Sequence, residues 1–175
     1  MAVGIKPIII QIVGFKNSGK TTLMNQLIQE AVKHKLEVGT IKHHGHGGVP
    51  DAPLTKNDSE QHFQHGATVS AVEGAGSLYL QATVPKGDLA SSLHVLENWP
   101  LDLILIEGYK KWSYPKMVLL RNQDDQSLLD LTNIVAVLTE DQTNVKIPYP
   151  SFSKDEAASY IPWIMDYIRR QRLHD

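Results

Sequence analysis

The 175-residue chain has room for one compact domain with its own core, and 17 Lys plus Arg against 19 Asp plus Glu leave a formal charge of -2. That balance offers no overall basic field for nucleic acid, and the absence of cysteine removes disulfides, thiolate zinc sites and cysteine nucleophiles together. No stretch approaches the roughly 18 consecutive apolar residues of a membrane span, so a cytoplasmic protein with no membrane or nucleic-acid partner is the expectation.

The opening "MAVGIKPIIIQIVG" reads as a first strand, because Ile8, Ile9, Ile10, Ile12 and Val13 form the β-branched run expected of a strand buried on both faces of a parallel sheet. Met24, Leu27, Ile28, Ala31 and Val32 then recur with helical spacing and predict one apolar stripe. A second strand is expected near "LEVGTIKH", followed by a Gly/Pro-rich loop through "HGHGGVPDAPLTKN". "DSEQHFQHGA" predicts a short helix with Asp58 at its N-cap and Gly66 past its end.

The middle of the chain departs from a simple strand-helix repeat. "TVSAVEG" and "SLYLQATV" flank a Gly-Ala-Gly turn, and Leu78, Leu80, Ala82 and Val84 alternate with Ser77, Tyr79, Gln81 and Thr83. This predicts a hairpin with one solvated or interface face. A helix over "DLASSLHVLENW", buried strands over "LDLILIEG", "KMVLL" and "NIVAVL", and an amphipathic helix over 153–172 complete the chain. The expectation is a three-layer α/β domain spanning 1–175, with a mainly parallel sheet and an inserted β-hairpin.

Gly14, Gly19, Lys20 and Thr21 in "GFKNSGKTT" match G-x-x-x-x-G-K-[ST], with a strand before and a helix after, as the P-loop NTPase fold requires. Glycines let the backbone close on phosphate oxygens, so that successive N–H groups and the helix N-terminus face the anion. Lys20 would reach the β- and γ-phosphates, and the Thr21 hydroxyl would ligate Mg²⁺. Asn17, Ser18 and Thr22 belong to the same phosphate-binding stretch, whereas Lys16 receives no catalytic role.

A second oxygen ligand for the metal must come from "DLILIEG". Asp102 and Glu107 lie roughly 17 Å apart at about 3.3 Å per residue, so both cannot serve one ion. Ligands of open α/β sheets sit at the carboxyl ends of strands, which selects Glu107 and places Asp102 at the far edge. Lys42 and His43 end the second strand at that same edge and suit nucleotide or substrate contact. His43, His44, His46, His62 and His65 raise a metal site, although their spacing fits no zinc pattern. Asp58 stands either as a further metal-facing acid or as a helix cap.

Together "GFKNSGKTTL", "GTIKHHGHG", "NDSEQHFQHGA" and "LDLILIEGYK" resemble the MobB family, the nucleotide-binding adapters of molybdopterin-guanine dinucleotide biosynthesis. The resemblance implies a P-loop fold that binds GTP with Mg²⁺ and hydrolyses it weakly at best. It also implies a homodimer that assists the guanylyltransferase joining GMP to molybdopterin. Carried over by position, it nominates Gly14, Gly19, Lys20, Thr21 and Thr22 for phosphate and metal, and Lys42, His43, Asp58 and Glu107 as further site residues. Lys20 and Glu107 are the candidates for any hydrolytic step.

No N-K-x-D follows a strand, so Asp141 is the candidate to accept from a guanine edge, with Glu140 competing. Two rivals use the same loop: a small-molecule or nucleotide kinase, and a metal-delivery GTPase loading the histidines. The four arginines, Arg121, Arg169, Arg170 and Arg172, count against the kinase, and without an arginine near the P-loop hydrolysis is expected to be slow.

Overall fold

A computed structural model describes residues 6–44, 58–84, 88–140 and 146–173, with side chains of the helix opening at Asp58 described from residue 61. The chain divides into two compact units, Met1–His43 with Leu96–Asp175, and His44–Val95. In the first unit, β1 (Ile8–Gly14), β2 (Val38–Lys42), β5 (Leu103–Glu107), β6 (Lys116–Leu119), β7 (Ile134–Thr139) and β8 (Ser151–Ser153) form a six-stranded sheet. Its order is β2-β5-β1-β6-β7-β8 and every pairing is parallel. The parallel α/β architecture is as the β-branched runs predict.

Alternation along β1 separates two cores. Ile8, Ile10 and Ile12 pack with Leu23, Met24, Leu27 and Ala31 of helix α1 (Lys20–Lys33) and with Tyr160, Ile164, Met165 and Ile168 of helix α4 (Ala157–Arg172). Each such side chain taken fully out of water contributes roughly 1.5–3 kcal/mol. Val13, on the opposite face, packs with Val118, Leu120, Val137 and Leu128, the last on a 3-10 helix over Gln123–Asp130.

Two local expectations need correction, and one element is additional. Val32 is 59% exposed, and Leu23 takes the place expected of it in the stripe. Residues 151–153 form edge strand β8 rather than leading into a helix, which starts at Ala157; a three-residue strand after Pro150 is too short to carry a periodicity. The 3-10 helix is also unforeseen; the Asn122 side chain caps it by accepting from Asp124 N at 3.0 Å.

The second unit holds α2 (Asp58–Gln64), β3 (Val69–Gly74), β4 (Ser77–Ala82) and α3 (Leu89–Leu96). Ala75 (φ 49°) and Gly76 (φ 76°) are successive left-handed residues, the type I′ combination that joins two-residue hairpins. Val69 opposes Ala82 and Ala71 opposes Leu80 on one face. Among the described residues neither face is covered along most of its length: Val69, Leu78, Tyr79 and Leu80 are all 45% exposed or more. The alternation therefore leaves an apolar face outward rather than inward. The Gly/Pro stretch after His44 lies outside the described residues.

Candidate functional site

β1 delivers the chain into the P-loop at Gly14, where a Cβ would overlap Ser18 Oγ and approach the Leu119 carbonyl to 3.1 Å. Two residues of the loop, Asn17 (φ 61°) and Gly19 (φ 92°), are left-handed, which closes it into a nest before α1. Ser18 is turned inward at 2% exposure, and its Oγ has no hydrogen-bond partner among the described residues. No side chain caps α1 at Gly19 and no acid stands in its first turn. The positive end of the helix is thus left to an external anion.

Lys20 folds back, its Nζ donating to the Phe15 carbonyl at 2.7 Å. Burial lowers its pKa, Glu107 opposes that shift, and the nearby cations Lys110, Lys42 and Arg121 lower it further. Charge-bearing groups from four segments of the first unit therefore meet around one ammonium.

Glu107 ends β5 in register with Ile12 of β1 and Lys42 of β2. Its carboxylate is nearly buried and spends both oxygens: Oε2 accepts from the Thr21 hydroxyl at 3.1 Å, and Oε1 lies 3.6 Å from Lys42 Nζ. Thr21 and Glu107 thus set two hard oxygen donors side by side at the mouth of the loop, the donor chemistry that suits Mg²⁺. Asp102 sits at the other end of the strand. It accepts from Glu37 N at 2.8 Å and from Arg172 at 2.6 Å, a structural use.

His43 follows Lys42 to the same edge, where its backbone N donates to the Glu107 carbonyl at 2.9 Å and its ring lies 4.5 Å from that of Tyr109. The turn after Glu107 is unusual: Gly108 (φ 95°) and Tyr109 (φ 53°) are both left-handed. Glycine is needed at 108, since a Cβ there would come within 3.0 Å of His43 Cβ. A left-handed tyrosine costs roughly 1–2 kcal/mol. The turn is secured by Gln11, buried in β1, whose amide donates to the carbonyls of Gly108 at 3.1 Å and Tyr109 at 2.9 Å.

Four groups escaped the sequence reading. Gln11 and Lys116 are polar residues inside runs that otherwise signal buried strand, and that exception was their only trace. The Lys116 Nζ, fully buried, donates to the carbonyls of Trp112, Tyr114 and Thr132 at 2.6–3.0 Å. Lys110 lies with its Nζ 3.8 Å from the centre of the Phe15 ring. Arg121, just past β6, does stand beside the P-loop, contrary to expectation: it donates to the Lys16 carbonyl at 3.2 Å and is gripped by Asp125 through Nε at 2.9 Å and NH2 at 2.7 Å.

Asp58 opens α2 in the second unit, with its side chain outside the described residues, as is all of Asp141. Glu140, the competitor for a guanine edge, is 3.2 Å from Lys154. Thr22 lies in the first turn of α1 with its side chain exposed. Among the described residues no three His, Cys, Asp or Glu side chains converge on a metal position.

Known proteins share this fold. Residues 9–140 match the family model described as molybdopterin guanine dinucleotide synthesis protein B. A Bacillus subtilis protein named "probable molybdopterin-guanine dinucleotide biosynthesis adapter protein" is 42% identical over 130 residues, covering 74% of this chain and 75% of its own. The crystal structure of Bacillus subtilis MobB superposes with a TM-score of 0.79 at 35% identity, over 91% of this chain and 96% of that one. That of a MobB homologue from Bacillus stearothermophilus gives 0.76 at 37% identity, over 93% and 98%.

Proposed function

Because the chain belongs to the molybdopterin guanine dinucleotide synthesis protein B family, we propose that it is a GTP-binding adapter of molybdopterin-guanine dinucleotide biosynthesis. On this reading it holds GTP with Mg²⁺ and hydrolyses it slowly at most. It works in the cytoplasm as a homodimer and assists the guanylyltransferase that joins GMP to molybdopterin. The observation that carries the nucleotide part is the Thr21 hydroxyl bonded to Glu107 beside the uncapped start of α1, where phosphate and metal ligands adjoin.

Holding rather than turnover is favoured by the state of Arg121. A guanidinium held along its Nε–Nη2 edge by both oxygens of Asp125, with its other nitrogen on the Lys16 carbonyl, is not free to follow charge developing on a transferred phosphoryl group. Asp141 and Asp58 keep their proposed places as guanine acceptor and further metal acid. The exposed apolar face of the hairpin supports a covering partner, either a second copy or the transferase.

A phosphotransferase is the second reading, favoured by the gathering of Lys20, Lys42, Lys110 and Arg121 at one edge. Calorimetry with GTP and ATP, each with and without Mg²⁺, separates the two. The adapter reading expects Mg²⁺-dependent binding with GTP at least tenfold tighter than ATP, and loss of that binding by about a hundredfold in Lys20→Ala, the scale of a lost charge-assisted phosphate contact. Equal affinity for ATP removes the guanine element.

A further inference from the structure

Lys110 stands beside the P-loop on an aromatic ring rather than on a hydrogen-bond acceptor. Among the described residues its Nζ has no hydrogen-bond acceptor and no ion pair; its contact is the Phe15 ring at 3.8 Å. Phe15 is the residue whose carbonyl receives Lys20 at 2.7 Å, so the two ammonium groups flank a single residue of the P-loop. Burial and the neighbouring Arg121 both disfavour a charge at Lys110, with only Asp125 opposing them. A bare cation is being kept where charge is costly.

The fold commits considerable structure to keeping it there. Lys110 follows two left-handed residues, Gly108 and Tyr109, held by Gln11 from β1. The far side of the same loop is held by Lys116 from β6, which takes the carbonyls of Trp112 and Tyr114. Two buried polar side chains on strands either side of the crossing thus fix a segment whose central residue presents an ammonium to the P-loop.

Magnitudes indicate what would claim that ammonium. A cation over an aromatic ring at a partly exposed position contributes about 0.5–1 kcal/mol. A charge-assisted hydrogen bond to a phosphate oxygen is stronger, about 1.5–3 kcal/mol. The loop also leaves directly from Glu107, the acid that with Thr21 would hold a metal ion beside the phosphates. We propose that Lys110 is a second phosphate-binding lysine of this site, held on the Phe15 ring and recruited by the terminal phosphate of a nucleoside triphosphate. The proposal rests on the phosphate half of the functional reading and is independent of the base.

Calorimetry on the full chain tests it, with wild type, Lys110→Ala and Lys110→Arg each titrated with GTP, GDP, inorganic tripolyphosphate and pyrophosphate in Mg²⁺, and wild type also with ATP. Thermal unfolding of each variant checks that it is folded. The preference for GTP over GDP, and for tripolyphosphate over pyrophosphate, is expected to fall about tenfold in Lys110→Ala and to persist in Lys110→Arg, the scale of one charge-assisted bond. An unchanged preference in Lys110→Ala overturns the proposal, as does an equal loss for all four probes, which would mark Lys110 as mere loop support. Wild type that binds ATP as well as GTP overturns the guanine reading alone, while wild type that binds none of the probes overturns both.

Discussion

Arg121 reaches the P-loop from the end of β6, yet its guanidinium is tied down by the fully buried Asp125, which also accepts from the Arg121 backbone N at 2.9 Å. The arginine then serves to brace the loop at Lys16. The hydrogen-bonded guanidinium holds the Asp125 carboxyl below the ordinary aspartate range. A depressed carboxyl contributes stability above its unfolded-state value, near pH 4, and loses it as pH falls through the folded value. Asp125→Asn is therefore expected to lower the urea midpoint clearly at pH 7. That difference should shrink steadily below pH 4, and a gap that stays constant with pH would contradict the assignment.

At the scale of elements, the segment between β5 and β6 is the part of the site held least by secondary structure and most by side chains. Lys116→Met keeps the bulk of the side chain but leaves the carbonyls of Trp112, Tyr114 and Thr132 without their donor. Each orphaned carbonyl costs about 1–3 kcal/mol, offset in part by no longer burying an ammonium, so a net loss of about 2 kcal/mol is expected in chemical denaturation. Burial also lowers the Lys116 pKa, so the cost of its charge is relieved as pH rises past the folded value, and wild type should gain on this variant in alkali. What was legible beforehand follows the same division. Gly14, Lys20 and Thr21 are written as a contiguous loop, and Glu107 could be found because a strand's carboxyl end is a place. Lys110, Arg121 and Gln11 owe their positions to a left-handed turn, a crossing and a register, none of which has a local spacing. β8 was missed because three residues after Pro150 are too few to show an alternation.

At the scale of the whole molecule, the described residues carry a run of exposed apolar side chains on the hairpin, where Leu78 and Leu80 are 50% and 45% exposed. A two-stranded ribbon does not cover its own apolar face, so association is the expected use of it. Leu78→Ser with Leu80→Ser should shift sedimentation toward a smaller species while the unfolding free energy moves by no more than about 0.5 kcal/mol, since exposed side chains contribute little to the fold. An unchanged sedimentation profile would assign the assembly to another surface. The sheet order has a further consequence, in time rather than space. β1, with its P-loop, is made first, yet its neighbours are β5 and β6, and Ile8 must wait for Leu103. At about 5–20 residues per second, a nascent chain spends several seconds or more with the central strand synthesised and unpaired. The P-loop can take shape only once β5 and β6 have emerged, so a chain truncated before β5 should be a client of chaperones rather than a folded fragment.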